Sequence, residues 1–424
     1  MFHCGTDSAS FPTLETEVPL STRNPAGGPR QLFARSPAER VALARQQFFE
    51  EGVRPSGLVG EAVIQSWMRC TRLHADRQRV IAFDAVTPSR LHATMGRNRE
   101  LLDAARQELV GMESSLAGTD CRVLLTDGQG VIVHVTQHPG TAEQPILRKT
   151  ARIGVNIAER VVGTTAPGIV ATTGQACTVD GAEHYFEYLR QMQCAAAPIR
   201  DVHGQLAGVL DLTVEARRFG FDAASMVALY ATTIENRLML AQSQDRLVLR
   251  FQASPALLGT PLEALAGIAP DGTVAWLNAA GARLIGGVPE AGPCDVEMLF
   301  GQGLAALLRL TRSEAAQPVR LASGLGVWLQ ARLQGHDGVD FGHAVAMALP
   351  QQKTEAADAS PQRTVEAPPS APGADGTLRG HSRKLIEDTL ALHDGNISHA
   401  ARQLRVSRGT LYRHLKRLRE RDAG

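Results

Sequence analysis

The stretch CAAAPIRDVHGQLAGVLDLTV, residues 194–214, decides the fold of the chain. Two apolar runs flank the polar segment RDVHGQ, and the second alternates at two-residue spacing, which reads as strand, turn, strand. CRVLLTDGQGVIVHVT at 121–136 follows the same logic around an Asp-Gly-type turn. Gly- and Thr-rich irregular or helical pieces lie between the two hairpins. The combination predicts an α+β domain on an antiparallel sheet over residues 119–221.

Working outward, residues 36–118 read as a helical lead. Ser36 and Pro37 make a helix start, with apolar spacing through Phe49. A second helix holds Val63, Ile64, Trp67 and Met68, and Thr87-Pro88 opens a third. Within that third helix Leu102, Ala105, Leu109, Met112 and Leu116 recur at three- and four-residue steps, a short heptad seam that predicts helix pairing and a dimer. Residues 1–35 carry Pro, Gly, Ser and Thr without periodicity and are expected to be disordered. On the other side, 222–250 reads as one connecting helix with Val227, Ile234, Leu238, Ala241 and Val248 on one side. Residues 251–349 form a second α/β unit: APDGTVAWLNAAGARLIGG gives turn, strand and helix, and GVWLQARLQ and HAVAMAL give later strands. The Pro- and Ala-rich stretch 350–376 is a linker, spanning on the order of 30 Å as a flexible coil.

At 424 residues the chain is too long for one core, and 44% hydrophobic with 21% charged residues is ordinary for a soluble multidomain protein. It contains no apolar run of membrane-spanning length, and MFHCGTDSAS is not a secretory start, so a cytoplasmic protein without membrane contact is expected. Six scattered cysteines without a CxxC pair argue against a zinc ribbon or a disulfide framework, and no cofactor or metal is expected. Charge is uneven. Residues 377–424 hold 11 Lys or Arg against 5 Asp or Glu, while residues 1–376 hold 33 against 38. A basic module on a faintly acidic body points to a polyanionic partner at one end only.

That module contains GNISHAARQLRVSRGTLYRHLKRL at 395–418. Asn396 and Ser407 suit helix N-caps, and Ala400, Ala401, Leu404, Val406, Leu411, Leu415 and Leu418 supply an all-α core. Ser407, Arg408, Thr410, Tyr412, Arg413, His414, Lys416 and Arg417 are left for double-stranded DNA. Arg suits bidentate pairing with guanine, Thr suits a thymine methyl or a phosphate, and the backbone N–H groups at the helix start suit a phosphate. The stretch resembles the Fis-type helix-turn-helix of bacterial enhancer-binding proteins, which implies a homodimer on inverted half-sites. Arg405 stands where that pattern usually has Gly in the turn.

SWMRC (66–70), GTTAPG (163–168), VDGAEHY (179–185), the 194–213 hairpin and IENRL (234–238) together resemble the acetoin-catabolism regulator family of transcriptional activators. The resemblance implies a GAF sensor domain behind a helical segment, and DGTVAWLNAAGARLIG makes 251–349 similar to a PAS domain. It also implies a small-molecule effector held by Asn156, Glu159, Thr164, Thr165, His184 and Cys194. Asn is common in the family where Thr165 stands. These side chains equally suit local turn bonds and structural roles. Cys177, His184 and Cys194 are too loosely spaced to mark a metal site, and a Cys194 nucleophile would need a cationic neighbour.

Family members normally carry a central ATPase with a GxxxxGK[ST] phosphate loop. Here only Lys149 and Lys353 precede Ser or Thr, neither behind a glycine loop. The expected protein is a multidomain α+β regulator, not an enzyme, that reads DNA, answers to an effector, and contacts RNA polymerase or a related regulator. The alternatives are a sensory protein that heterodimerises with an ATPase-bearing regulator, and a GAF enzyme using Cys194.

Overall fold

The computed structural model describes residues 36–136, 144–287 and 294–335, together with Thr389. The predicted N-terminal disorder, the HAVAMAL strand, the 350–376 linker and the DNA-contacting residues lie outside the described residues.

The chain begins with α1 (Pro37–Phe49), α2 (Glu61–Leu73), α3 (Pro88–Arg97) and α4 (Arg99–Ser115). The capping expectations hold: Ser36 Oγ accepts the Glu39 N–H and Thr87 Oγ1 accepts the Arg90 N–H. Next come β1 (Arg122–Asp127), β2 (Ile132–Val135), α5 (Pro145–Thr150), α6 (Glu159–Val162), α7 (Ala166–Thr173), β3 (Cys177–Asp180), β4 (Met192–Arg200) and β5 (Leu206–Glu215). The strands form one antiparallel sheet in the order β2-β1-β5-β4-β3. The opening stretch is its central hairpin, with Cys194 opposite Thr213 and Ala196 opposite Asp211. Asp201 closes the turn by accepting the His203 and Gln205 N–H groups.

Both faces of this sheet are covered. One face presents Val123, Leu125, Leu210 and Leu212 to α4 and to α8 (Ala223–Ala241). The other packs Leu124, Cys194, Ala196 and Val209 against α7 and the helical lead, including Trp67, Cys70, Ile81 and Phe83. The expected boundary at residue 118/119 is therefore corrected: lead and sheet share one core. Arg45 of α1 donates to the Ala182 and His184 carbonyls, and Trp67 Nε1 donates to the Glu183 carbonyl. The heptad seam is corrected as well. Ala105, Leu109, Met112 and Leu116 are buried against α8 and the sheet of their own chain, so this stripe is not free to pair two protomers.

A second correction concerns 222–250. The helix stops at Ala241, and Arg246–Gln252 is strand β6. Asp245, at φ 58°, makes the reversal. Strands β7 (Ala264–Ile268) and β8 (Val274–Leu277), helices α9 (Ala279–Ile285), α10 (Val296–Phe300) and α11 (Leu304–Leu310), and strands β9 (Gln317–Arg320) and β10 (Gly326–Gln334) complete a second sheet, ordered β8-β7-β6-β10-β9. Its core centres on Phe251, Phe300, Leu307 and Leu329.

The two units meet at the C-terminal end of α8. Met239 packs with Val202, Val248, Leu265 and Trp276. Asn278 Nδ2 donates to Asn236 Oδ1 at 2.9 Å, inside the buried seam.

Candidate functional site

A small cavity lies inside the first unit, between the sheet face that carries Cys194, Asp211 and Thr213 and the segments packed on it. Its volume is about 30 Å³, which admits one or two water-sized groups. Leu124, Leu147, Ile157, Val162, Leu189 and Met192 supply apolar walls, and Thr165, His184, Cys194, Asp211 and Thr213 supply polar atoms. Apolar walls with few convergent polar groups are the usual composition of a small-molecule site.

Strand pairing positions the polar set. Cys194 Sγ lies 3.2 Å from Thr213 Oγ1, its cross-strand partner. Asp211, two residues before Thr213, emerges on the same face. His184 follows the short helical turn after β3, and its Nε2 stands 3.8 Å from Cys194 Sγ. Its Nδ1 lies 2.9 Å from the Gly181 carbonyl, which only accepts, so Nδ1 carries the proton and Nε2 presents a lone pair. Burial pushes His184 down to about 4, so the ring is neutral at physiological pH. Burial likewise raises Asp211 well above the ordinary carboxylate range, favouring the uncharged acid. Asp211 Oδ1 has no hydrogen-bond partner.

Cys194 is a poor nucleophile in this setting. Burial first, and the Asp211 carboxyl second, push its thiol well above the usual value, and the adjacent imidazole is uncharged. This setting disfavours the thiolate–imidazolium pair that an enzyme built on Cys194 would need. Cys177 is elsewhere engaged, donating to the Thr178 carbonyl.

The wall opposite the sheet includes Phe83, from the strap between α2 and α3. Phe83 is buried yet adopts φ 53°, and the Arg152 guanidinium holds its carbonyl at 2.9 Å. A non-glycine residue in that region costs roughly 1 kcal/mol, and such strain clusters at functional sites.

Of the six residues expected at the site, the structure brings Thr165, His184 and Cys194 to the cavity. Thr165 also caps α7, accepting the Gly168 N–H. The remaining three are engaged elsewhere. Glu159 receives Arg69 Nε and Nη2 at 2.6 and 2.8 Å and the Ser66 hydroxyl at 2.9 Å. The Thr164 hydroxyl lies 2.8 Å from the Ser66 hydroxyl and can donate to it, and Asn156 Oδ1 accepts the Ala158 N–H. Glu159 of α6 and Thr164 of the loop after it thus tie α2 to the segment before α7, directly behind Thr165. Asp211, Thr213 and Phe83 escaped sequence reasoning. The available signal was Asp and Thr alternating with leucines in a strand whose polar-looking face is covered.

A larger open cleft of about 410 Å³ runs past Glu100, Asp127 and Asp201. Its carboxylates are already occupied: Asp127 and Asp201 close their own turns, and Glu100 accepts from Gln242. It offers less for recognition than the smaller cavity.

The model for the MimR N-terminal domain matches residues 37–233, spanning the helical lead, the sheet and most of α8. The model for bacterial regulatory proteins of the Fis family matches residues 377–418, which include every residue expected to meet DNA. The chain carries a MimR N-terminal domain and a Fis-family helix-turn-helix. The MimR-type domain thus includes the α1–α4 lead, in keeping with the shared core.

The acetoin catabolism regulatory protein of Cupriavidus necator is 30% identical over 273 residues, covering 61% of this chain and 40% of that one. The propane 2-monooxygenase operon transcriptional activator MimR of Mycolicibacterium smegmatis is 29% identical over 180 residues, covering 41% of this chain and 29% of that one. The chain therefore spans well under half the length of either relative. The first is a regulatory protein of acetoin catabolism and the second a transcriptional activator of an operon. Among solved structures, the Escherichia coli DhaR(N)–DhaL complex aligns with 64% of this chain and 99% of that one, at 16% identity and a TM-score of 0.40. No helix among the described residues is long and apolar enough to cross a membrane.

Proposed function

We propose that the chain is a cytoplasmic, sequence-specific DNA-binding regulator of a catabolic operon. Its MimR-type domain takes a GAF-like sensor role and answers to a small effector in the cavity around His184, Cys194 and Asp211. Its PAS-like second unit passes the response on. The observation that carries this reading is the presence in one chain of a Fis-family match at 377–418 and a buried, apolar-walled cavity with a few polar groups in the domain ahead of it. Ser407, Arg408, Thr410, Tyr412, Arg413, His414, Lys416 and Arg417 are the proposed DNA contacts, working as a homodimer on inverted half-sites.

Regulation without an ATPase motor is part of the proposal. Between the sensor and the Fis-family segment no GxxxxGK[ST] loop occurs, so polymerase contact or occupancy replaces ATP-driven remodelling. That same feature supports a second reading, in which the chain heterodimerises with an ATPase-bearing regulator and its own DNA contact is secondary.

Fluorescence anisotropy on the protein's own promoter separates the two readings. The first requires salt-dependent binding by the purified protein alone. Arg408→Ala or Arg413→Ala should weaken it by about 1–3 kcal/mol each, and a deproteinised small-molecule extract should shift the affinity. Absence of binding without a partner regulator refutes the first reading.

A further inference from the structure

We propose that the strap between α2 and α3 is a docking face for an acidic segment of a partner protein, whose carboxylates seat on Arg77 and Arg79 and whose apolar side chains cover Leu73 and Val80. The inference goes beyond the regulator reading and does not rest on the cavity.

The two cations stand on a continuous aromatic floor. Phe49, Tyr185 and Phe186 follow one another with ring centres 5.7 and 5.2 Å apart. The Arg77 guanidinium carbon lies 4.2 Å from the centre of the Phe49 ring, and that of Arg79 lies 5.4 Å from the centre of the Phe186 ring. Stacking occupies the face of a guanidinium and leaves its N–H edge free, and that edge is the fork that takes a carboxylate by two parallel bonds. Among the described residues neither Arg77 nor Arg79 has an ion pair or a side-chain hydrogen bond.

Neighbouring acids do not neutralise them. Glu187 is paired with Arg190 at 2.9 Å, and Asp76 closes its own turn by accepting the Gln78 N–H. A third cation deepens the imbalance. The Arg45 guanidinium carbon lies 4.9 Å from the centre of the same Phe49 ring, and its Nη1 donates to the Ala182 and His184 carbonyls instead of to a carboxylate. Burial first, then the Arg190 and Arg77 guanidiniums, draw Arg45 down to about 10, as expected of cations that crowd one another.

Apolar surface completes the face. Val80 is 65% exposed, the most of any large hydrophobic among the described residues, and Leu73, at the end of α2, is 58% exposed. A lone exposed Leu or Val is ordinary. These two bracket the unpaired guanidiniums in sequence, on a strap whose backbone is pinned: the Tyr185 hydroxyl donates to the His74 carbonyl at 2.6 Å, and the Glu187 N–H donates to the Arg77 carbonyl at 3.0 Å. A face already held in place loses little entropy when a partner arrives. A bare phosphate would use the forks and leave both apolar side chains in water, and a basic segment would be repelled. An acidic segment with interspersed apolar residues satisfies both halves.

The test follows the fluorescence anisotropy of a labelled peptide of alternating Leu and Glu on the full chain at low ionic strength, beside its Leu-Gln and Leu-Lys counterparts. The acidic peptide should bind at least about 10-fold tighter than the Leu-Gln peptide, and added salt should erase most of that margin. The double variant Arg77→Gln, Arg79→Gln should lose about 10-fold, and the double variant Leu73→Ser, Val80→Ser about as much. Arg79→Gln alone, at an exposed position where folding is not at stake, should lose about 3-fold. The basic segment at 377–424 offers the peptide a second place to bind, so Arg413→Ala is the control, and it should leave the affinity unchanged. Failure of the acidic peptide to bind overturns the proposal, as does equal or tighter binding of either counterpart. Unchanged affinity in the double arginine variant, or a loss in Arg413→Ala in its place, overturns it too. So does displacement of the peptide by inorganic phosphate at matched ionic strength, which marks a small-anion site.

Discussion

Asn278 joins the two units, and replacing it with Leu tests the junction directly. The side chain is 3% exposed. Its Oδ1 accepts the Leu265 N–H at 2.9 Å and the Gly281 N–H at 2.7 Å, the latter as the N-cap of α9. Its Nδ2 donates to the Glu263 carbonyl and to Asn236 Oδ1, each at 2.9 Å. Leucine has similar bulk and removes all four bonds. Loss of the cap costs about 1 kcal/mol. The Leu265 N–H, the Glu263 carbonyl and the Asn236 amide are left in a dry seam, at about 1–3 kcal/mol each before relaxation. Partial relaxation brings the total to about 3–5 kcal/mol, the upper end for one substitution.

Asn278→Asp is gentler. It keeps both accepting bonds and the cap, and the Asn236 amide can turn over to donate, but the Glu263 carbonyl then faces an oxygen, at about 1–3 kcal/mol. Asn236→Ala removes one junction bond and a longer one to the Pro261 carbonyl, and costs about 1 kcal/mol. Native-state hydrogen exchange of the full chain, read by peptide mass, measures this locally. Amides in β7 and α9 should exchange roughly 100- to 4,000-fold faster in Asn278→Leu, since 1.4 kcal/mol is a factor of ten, while β1 and β2 serve as the internal reference. Acceleration under about threefold, or a larger effect from Asn236→Ala, would falsify the account of the junction.

Two further outcomes follow from the first unit. His184 ordinarily titrates at 6.5 and is lowered to about 4 by burial, so between those values the unfolded chain binds a proton that the folded chain does not. Stability should therefore fall on acidification from pH 6.5 towards 4, by up to about 1.4 kcal/mol per pH unit, and His184→Gln should flatten that slope in melting curves; parallel wild-type and variant profiles would contradict it. Gly163 sits at φ 70°, ψ −156°, and a Cβ there would come within 2.8 Å of the Phe186 ring, whereas Gly204 at φ 71° has open space around it. Gly163→Ala should cost about 2–4 kcal/mol against about 1 for Gly204→Ala, and equal melting temperatures for the two variants would contradict the steric argument.

The strands of the first sheet were legible because alternation and turn chemistry agree at 121–136 and 194–214, and the caps at Ser36 and Thr87 marked their helices. Two readings failed, and one pair of residues was missed, for physical reasons. RLVLRFQ at 246–252 is an apolar run whose period fits a buried strand as well as a helix, and no Gly or Pro announced the end of α8; Asp245 takes the reversing conformation instead. The α4 stripe looks alike whether its partner is a second copy or α8. Asp211 and Thr213 alternate with leucines in VLDLTV and carried no site signal of their own; the lead packed across that face makes them part of the cavity wall. Family resemblance found Thr165, His184 and Cys194, but Glu159 and Thr164 share the same segments for a different reason: they bind α2. The helix-turn-helix segment itself was legible in capping, core and charge, and the Fis-family match covers it.

The turn after α8 also has a mechanical meaning. Only residues 242–245 separate that helix from β6, the middle strand of the second sheet. They have little slack: Gln242 bonds the Val202 N–H and Glu100, Ser243 bonds the Met239 carbonyl, and the Asp245 N–H bonds the Gln334 carbonyl. A tilt of α8 therefore enters the second unit at its centre, flanked by two strands on either side, and not at an edge where fraying would absorb it. The helix is joined to the second sheet as a crank is to a wheel, at the hub and not at the rim.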